Sequence, residues 1–427
     1  MNVIFSWFKG DRVIWTIYIV LCFISLVEVF SAGSSLSFGE NKSFYDPLIR
    51  QAGFLFAGTV IVLIVHRIPC RFFRILPVFM LPLSMILLAI TLFTKSTNGA
   101  SRWIELGSIS FQPSEIAKLA LVITTALLLS AMQREKGADP KAFKYIMIFS
   151  AIICGLIVTE NLSTAVLLFG TIFVMMFIGR VPLRQLGKLV GIGALSVLLV
   201  GGGIYAIPED SNLDEISILH RVGTWKSRIT EHLGDKEYVA PKDYDIDKGA
   251  QKAHANIAIA SSGLVGTLPG NSVQRDFLSQ AYSDFIFAII IEEMGLSGAA
   301  FVISLYVFLF FRTGRIVSKC ASTFPRLLAM GLTMMLVFQA FFNMLVAVDF
   351  FPITGQPLPL ISRGGTSTLI TSIYIGMILS VSHTARRLDE PPTTQTDIPL
   401  LDAEPQTEGN ADAQTVTAPS QSVPQTL

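Results

Sequence analysis

A chain of 427 residues that is 52% apolar and only 15% charged, with a mean hydropathy of +0.59, is too apolar for a soluble globular protein. Its net charge of +1 supplies no basic field for nucleic acid, and Cys22, Cys70, Cys154 and Cys320 have neither paired nor metal-ligand spacing. What remains is an all-α, polytopic integral membrane protein.

A stretch of roughly 20 apolar residues is long enough to cross a bilayer. Ten are predicted, at 13–31, 48–66, 75–93, 113–132, 145–159, 162–179, 187–206, 285–311, 327–349 and 365–384. The first lacks a small-residue cleavage pattern and reads as a retained anchor. Lys and Arg in the short loops set the orientation. Lys9 and Arg12, then Arg67, Arg71 and Arg74, then Arg134, Lys136, Lys141 and Lys144 fall on one side. Arg180, Arg184, Lys188, Arg312, Arg315, Lys319, Arg326, Arg386 and Arg387 continue that side, which puts both termini in the cytoplasm. An ionisable group inside a span is costly unless it lines a cavity, so each one is a functional candidate.

The first polar cluster is "NGASRWIELGSISFQPSEIAKLALVI", 98–123. Pro113 suits a first helical turn, Glu115 favours the positive end of the helix, and Lys118 follows Glu115 at i,i+3. Either Lys118 snorkels, neutralised by its glutamate, or Arg102 and Lys118 charge an anion site. Trp103 reads as an interfacial anchor. The second cluster, "TENLSTA" at 159–165, joins two short spans. It is either a plain turn capped by Asn161, or a hairpin bringing Glu160, Asn161, Ser163 and Thr164 to the depth of a cavity.

Residues 207–284 form one large extracytoplasmic loop, in which His220, Arg221, Trp225 and Arg228 suggest an amphipathic interfacial helix. The loop ends at "SDFIFAIIIEEMG", where Asp284 heads the next span and Glu292 and Glu293 lie two turns deeper. At 100° per residue those three carboxylates cannot face one another across a glycosidic bond. One carboxylate suffices for glycosyl transfer if the leaving group is itself a stable anion held by basic groups.

The third polar cluster is "PITGQPLPLISRGGTSTLI", 352–370. Prolines hold this chain extended, and Ser362, Arg363, Gly364, Gly365, Thr366 and Ser367 then open the last span. Hydroxyls, close-approach glycines, an arginine and free N–H groups at a helix start suit a phosphate, although an ordinary cap uses the same residues. Residues 1–388 thus form the membrane domain, and 389–427, rich in Pro, Thr, Gln and acids, read as a disordered cytoplasmic tail.

The segments 98–123, "SDFIFAIIIEEMG" and "TGQPLPLISRGGTS" closely resemble signatures of the SEDS (shape, elongation, division and sporulation) family, over about residues 10–385. Motif order, with "GNSVQRDFLSQAYSDFIFAII" and the polar tail, is more similar to the cell-division branch than to the elongation branch. The resemblance implies a multi-pass peptidoglycan glycosyltransferase polymerising lipid II at the outer face of the bacterial cytoplasmic membrane, at the division septum. It implies Asp284 as general base and Arg102, Glu115 and Lys118 in the substrate cavity, with Ser362, Gly364 and Gly365 in the segment before the last span. It implies a class B penicillin-binding protein and other division-complex membrane proteins as partners, and makes a divalent cation, Mg or Mn, a candidate at the pyrophosphate. Several positions depart from the family pattern: Arg363 replaces a tyrosine, Glu160-Asn161 replaces a Pro-Asp pair, and Asp349 replaces a common glycine. Ten spans with charged residues also describe a transporter such as a lipid II flippase, but internal repeats are not evident and the polar clusters gather on one side.

Overall fold

The computed structural model describes residues 9–39, 45–93, 104–106, 109–135, 137–206, 250–278 and 281–389. Arg102, Trp103, the 207–249 part of the large loop with its proposed amphipathic helix, and the tail from 390 lie outside the described residues. Helices occupy all ten predicted stretches: α1 Arg12–Gly39, α2 Asp46–Val65, α3 Leu76–Phe93, α4 Pro113–Ala131, α5 Pro140–Val158, α6 Leu162–Ile178 and α7 Leu183–Ala206, then α9 Ile286–Lys319, α10 Thr323–Ala347 and α11 Thr366–Asp389. A short helix, α8 Ala250–Ser261, sits between α7 and α9. Among the described residues, seven helices are long and apolar enough to cross a membrane, and Leu76–Leu92 and Leu162–Ile178 are apolar but shorter.

Helices that are apolar all round belong either in a core or against lipid, and burial separates the two. The apolar window of α11 is 78% buried and those of α4 and α10 72%, against 22% for α2. α10 packs on α4, α6, α9 and α11, so these helices form the centre of the bundle. Two short antiparallel pairs add the strands: Ile104–Leu106 with Ile109–Phe111, and Gln133–Arg134 with Gly137–Ala138.

Local chemistry sets the helix ends. Pro113 opens α4 with Glu115 in its first turn. Asp139 caps α5 by accepting from Lys141 N at 2.8 Å. α10 ends in a Schellman motif, in which Phe350 N donates to Leu345 O at 2.9 Å and Asp349 N to Val346 O at 3.1 Å. Asp349 holds the left-handed residue of that motif at φ 55°, where glycine is the usual choice and Asp is tolerated. Its carboxylate lies 3.7 Å from Lys252 of α8, which links α8 to the end of α10.

α9 is broken at Gly295, with φ 69° and ψ −174°. The break takes the carbonyls of Glu292 and Glu293 and the N–H groups of Leu296 and Ser297 out of the helical ladder. A loop at 263–268 satisfies all four. Thr267 N donates to Glu292 O at 3.0 Å and Leu268 N to Glu293 O at 2.8 Å, while Leu296 N and Ser297 N donate to Gly263 O and Leu264 O at 3.2 and 3.1 Å. The approach is close enough that a Cβ at Gly295 would lie 2.4 Å from Leu264 O, which only glycine permits. Part of the predicted outer loop is therefore ordered chain stapled to a membrane helix.

Candidate functional site

Asp284 does not head a helix. It sits in the turn before α9, whose first cap position is Phe285 and carries no side-chain cap bond. Ser283 Oγ donates to Asp284 Oδ1 at 3.1 Å, and the side chain is only partly buried.

The extended segment 352–365 docks on this turn. Ser362 Oγ donates to Ser283 O at 2.6 Å and accepts from Leu358 N at 2.7 Å. Arg363 N donates to Tyr282 O at 3.0 Å, and the Arg363 guanidinium lies over the Tyr282 ring, 5.1 Å from its centroid. The expected anion cradle is thus partly engaged by protein: the N–H groups of Arg363, Ser367 and Thr368 bond to carbonyls, and the guanidinium stacks on an aromatic face. Gly365 takes φ 51°, which turns the chain into α11. The Thr366 hydroxyl is buried there with no hydrogen-bond partner among the described residues.

Lys118 is wholly enclosed at 0% exposure, so it does not snorkel. Its Nζ donates to Glu115 Oε1 at 2.8 Å and to Gln339 Oε1 at 2.9 Å, and Gln339 Nε2 donates onward to Pro357 O at 3.0 Å. The buried cation therefore reaches the 352–365 segment through one amide. Its charge is matched by Glu115, which offsets the desolvation of both. Arg102, its expected companion, lies outside the described residues.

At the 159–165 turn Asn161 caps the start of α6. Asn161 Oδ1 accepts from Ser163 N at 3.0 Å and Thr164 N at 3.3 Å, and its amide donates to Thr354 O at 3.2 Å. Glu160, Asn161 and Thr164 are buried, and Thr91 Oγ1 donates to Glu160. Ser163 is half-buried at the start of α6.

Sequence reasoning missed the residues that tie these clusters together. Asn343 Nδ2 donates at 2.8 Å both to the backbone carbonyl of Asp284 and to that of Gln356. Gln356 Nε2 donates to Thr164 Oγ1, and Tyr306 OH to Pro359 O at 2.5 Å. Gln339 and Asn343 stand at i,i+4 on an apolar span, a polar stripe that was there to be found.

Glu292 and Glu293 turn out to be structural. Glu292 accepts from Ser272 Oγ at 2.5 Å and from Val273 N at 3.0 Å, while Glu293 accepts from Ser31 Oγ and, at 3.3 Å, from Ser272 N. They anchor the turn that leads into the 3-10 element Gln274–Asp276. Among the described residues no three His, Cys, Asp or Glu side chains gather as metal ligands.

The arrangement offers one partly exposed carboxylate on a rigid turn, a hydroxyl- and glycine-rich helix start beside it, and a buried cation behind. That suits proton abstraction next to a departing anion.

Comparisons agree on the type of protein. The cell cycle protein family of FtsW, RodA and SpoVE matches residues 11–387. The chain is 32% identical over 383 residues to a probable peptidoglycan glycosyltransferase FtsW of Nitrosomonas europaea, covering 87% of this chain and 92% of that one. It is 33% identical over 378 residues to the protein of the same name from Legionella pneumophila, covering 86% and 89%. Among solved structures it resembles a chain of a peptidoglycan synthase complex solved to show how polymerization and crosslinking are coordinated, with a TM-score of 0.68, 25% identity and coverage of 88% and 98%. The fold also matches the rod shape determining protein RodA of Thermus thermophilus, with a TM-score of 0.61, 23% identity and coverage of 89% and 99%.

Proposed function

The chain belongs to the FtsW, RodA and SpoVE family of cell cycle proteins, and from that premise we infer that it is a peptidoglycan glycosyltransferase of cell division that polymerises lipid II. The carrying observation is the docking of Ser362 and Arg363 on the Tyr282–Ser283 backbone, which sets a phosphate-compatible helix start beside the Asp284 carboxylate.

Asp284 serves as the general base. It takes the proton of the acceptor sugar's 4-hydroxyl while that oxygen attacks the donor's anomeric carbon from the face opposite the leaving group, giving inversion. The bond to undecaprenyl pyrophosphate breaks, and its electron pair leaves with the diphosphate. That group is stable as an anion, so a second carboxylic acid is not required. In this reading Arg102, Arg363 and the start of α11 meet the departing diphosphate, and the enclosed Lys118, paired with Glu115, steadies the 352–365 segment through Gln339. Asn161, Ser163, Gly364, Gly365 and Thr366 complete the proposed substrate site.

The Lys and Arg bias supports a topology with both termini in the cytoplasm and the Asp284 end at the outer face, and the similarity to cell-division relatives supports action at the septum. The synthase complex it resembles pairs polymerization with crosslinking, which supports a class B penicillin-binding protein as partner.

The test is a polymerisation assay with purified protein, its cognate transpeptidase and labelled lipid II. Glycan chains are expected from the wild type. Translocation of lipid II across vesicles without polymer would overturn the reading in favour of a transporter.

A further inference from the structure

Glu28 lies on α1 at 0% exposure, and neither of its carboxylate oxygens has a hydrogen-bond partner among the described residues. The reaction proposed above does not use it. Three residues on, and therefore on the same face of α1, Ser31 donates to Oε1 of Glu293 on α9. Glu293 is equally enclosed, its Oε2 is likewise without a partner, and its charge repels that of Glu28. Three carboxylate oxygens without a partner among the described residues thus lie where α1 meets α9.

The surroundings do not neutralise two negative charges. α1 packs against α2, α9, α11 and the 3-10 element at 274–276. From α9 come Glu292 and Glu293, and the oxygens of Glu292 are engaged by Ser272, Val273 and Gln274. From the 3-10 element comes Arg275, whose Nη1 donates to Ser31 O at 3.2 Å and Ser31 Oγ at 3.1 Å, with Asp276 beside it at 3.6 Å. The charged residues of α2, Asp46 and Arg50, are exposed. Those of α11 lie in its last turns, at the end where Ser382 meets Asp11. Among the described residues one cation, Arg275, therefore stands beside four carboxylates, Glu28, Glu292, Glu293 and Asp276, an excess of negative charge that an apolar interior disfavours.

We propose that Glu28 and Glu293 form a proton-binding site, in which one shared proton bridges the two carboxyl groups and secures the 272–276 turn against α1. The proton forms an O–H···O bond between Glu28 and Oε2 of Glu293, giving each a partner. Arg275 beside the pair favours a proton over a metal ion, because a second fixed cation would repel the metal. Glu293 is also the point where α1, α9 and Ser272 converge. Releasing the proton to bulk leaves two like charges there, and the contact best able to yield is the docked 262–278 segment.

The test uses the full chain in lipid nanodiscs as wild type, Glu28→Gln and, as an apolar replacement of similar length, Glu28→Met. Infrared spectra and hydrogen exchange of 262–278 are recorded from about pH 5 to about pH 9, with exchange corrected for its intrinsic base dependence. The wild type is expected to show the carbonyl band of a protonated carboxylic acid at neutral pH. Raising the pH removes that band and speeds exchange in 262–278 about tenfold or more. In Glu28→Gln the band is absent and exchange stays slow at every pH, because the amide donates to Glu293 as the proton did. Glu28→Met also lacks the band. A wild type without the band at neutral pH, a variant that keeps it, or wild-type exchange insensitive to pH overturns the proposal. So does a response that follows Na⁺ or K⁺ at fixed pH, which would make this a metal-cation site.

Discussion

The hydroxyl of Ser362 reaches across the bundle to the backbone carbonyl of Ser283 at 2.6 Å, linking residues 79 positions apart. The bond joins the chain before α11 to the turn carrying Asp284, so the proposed base and the proposed diphosphate site share one rigid contact. The placement of a carboxylate relative to a leaving group controls rate steeply.

Replacing Asp284 by Asn keeps size and polarity but removes the base. Polymerisation should fall by about 10²–10⁴-fold, the usual share of general-base assistance. Expression should be retained, because asparagine keeps the size of the side chain and can still accept the 3.1 Å hydrogen bond from Ser283. Normal glycan synthesis by this variant would remove Asp284 from the mechanism.

Ser362→Ala strands the Ser283 carbonyl and the Leu358 N–H, both otherwise satisfied by that hydroxyl. The cost should be about 1–3 kcal/mol of stability, with kcat reduced roughly tenfold or more as the turn loses its register. Ser362→Thr retains the hydroxyl and should recover most of the activity. Steady-state kinetics on lipid II alongside thermal melts distinguish the two effects.

Lys118→Met leaves Glu115 buried and unpaired, which should cost about 3–5 kcal/mol. The double variant Lys118→Met with Glu115→Met removes both charges and should regain most of that stability while remaining poorly active. A double-mutant cycle by thermal unfolding in detergent measures the coupling. If the single and double variants are equally unstable, the pair is not the source of the loss.

Gly295→Ala forces a Cβ to within 2.4 Å of Leu264 O at a φ of 69°. Strain of about 1–3 kcal/mol is expected, released by lifting the 263–268 staple. Limited proteolysis should then cut between 262 and 278 faster than in the wild type, whereas Gly155→Ala, where a Cβ meets nothing within 4 Å, should behave as wild type.

The ten helices were legible because apolar runs of membrane length report their own transfer energy, residue by residue. The capping role of Asn161 and the pairing of Glu115 with Lys118 were readable for a similar reason, since both are settled within one helical turn. Other features depend on partners far away in the chain. Glu292 and Glu293 looked like misplaced charges until Ser272 and Ser31 supplied their donors. Asp284 was expected to head its span, and the helix begins two residues later, at Ile286.

Composition and local spacing thus determined that this chain enters a membrane, where its helices lie and which polar residues needed a reason. Tertiary structure alone decided which of those residues meet. The break at Gly295, the staple from 263–268 and the amides of Gln339 and Asn343 join segments more than a hundred residues apart in places, and no local periodicity encodes such a meeting. Hydrogen bonding in an apolar interior supplies the physical reason: each buried polar group must find a partner, and only the folded path of the whole chain sets which one it finds.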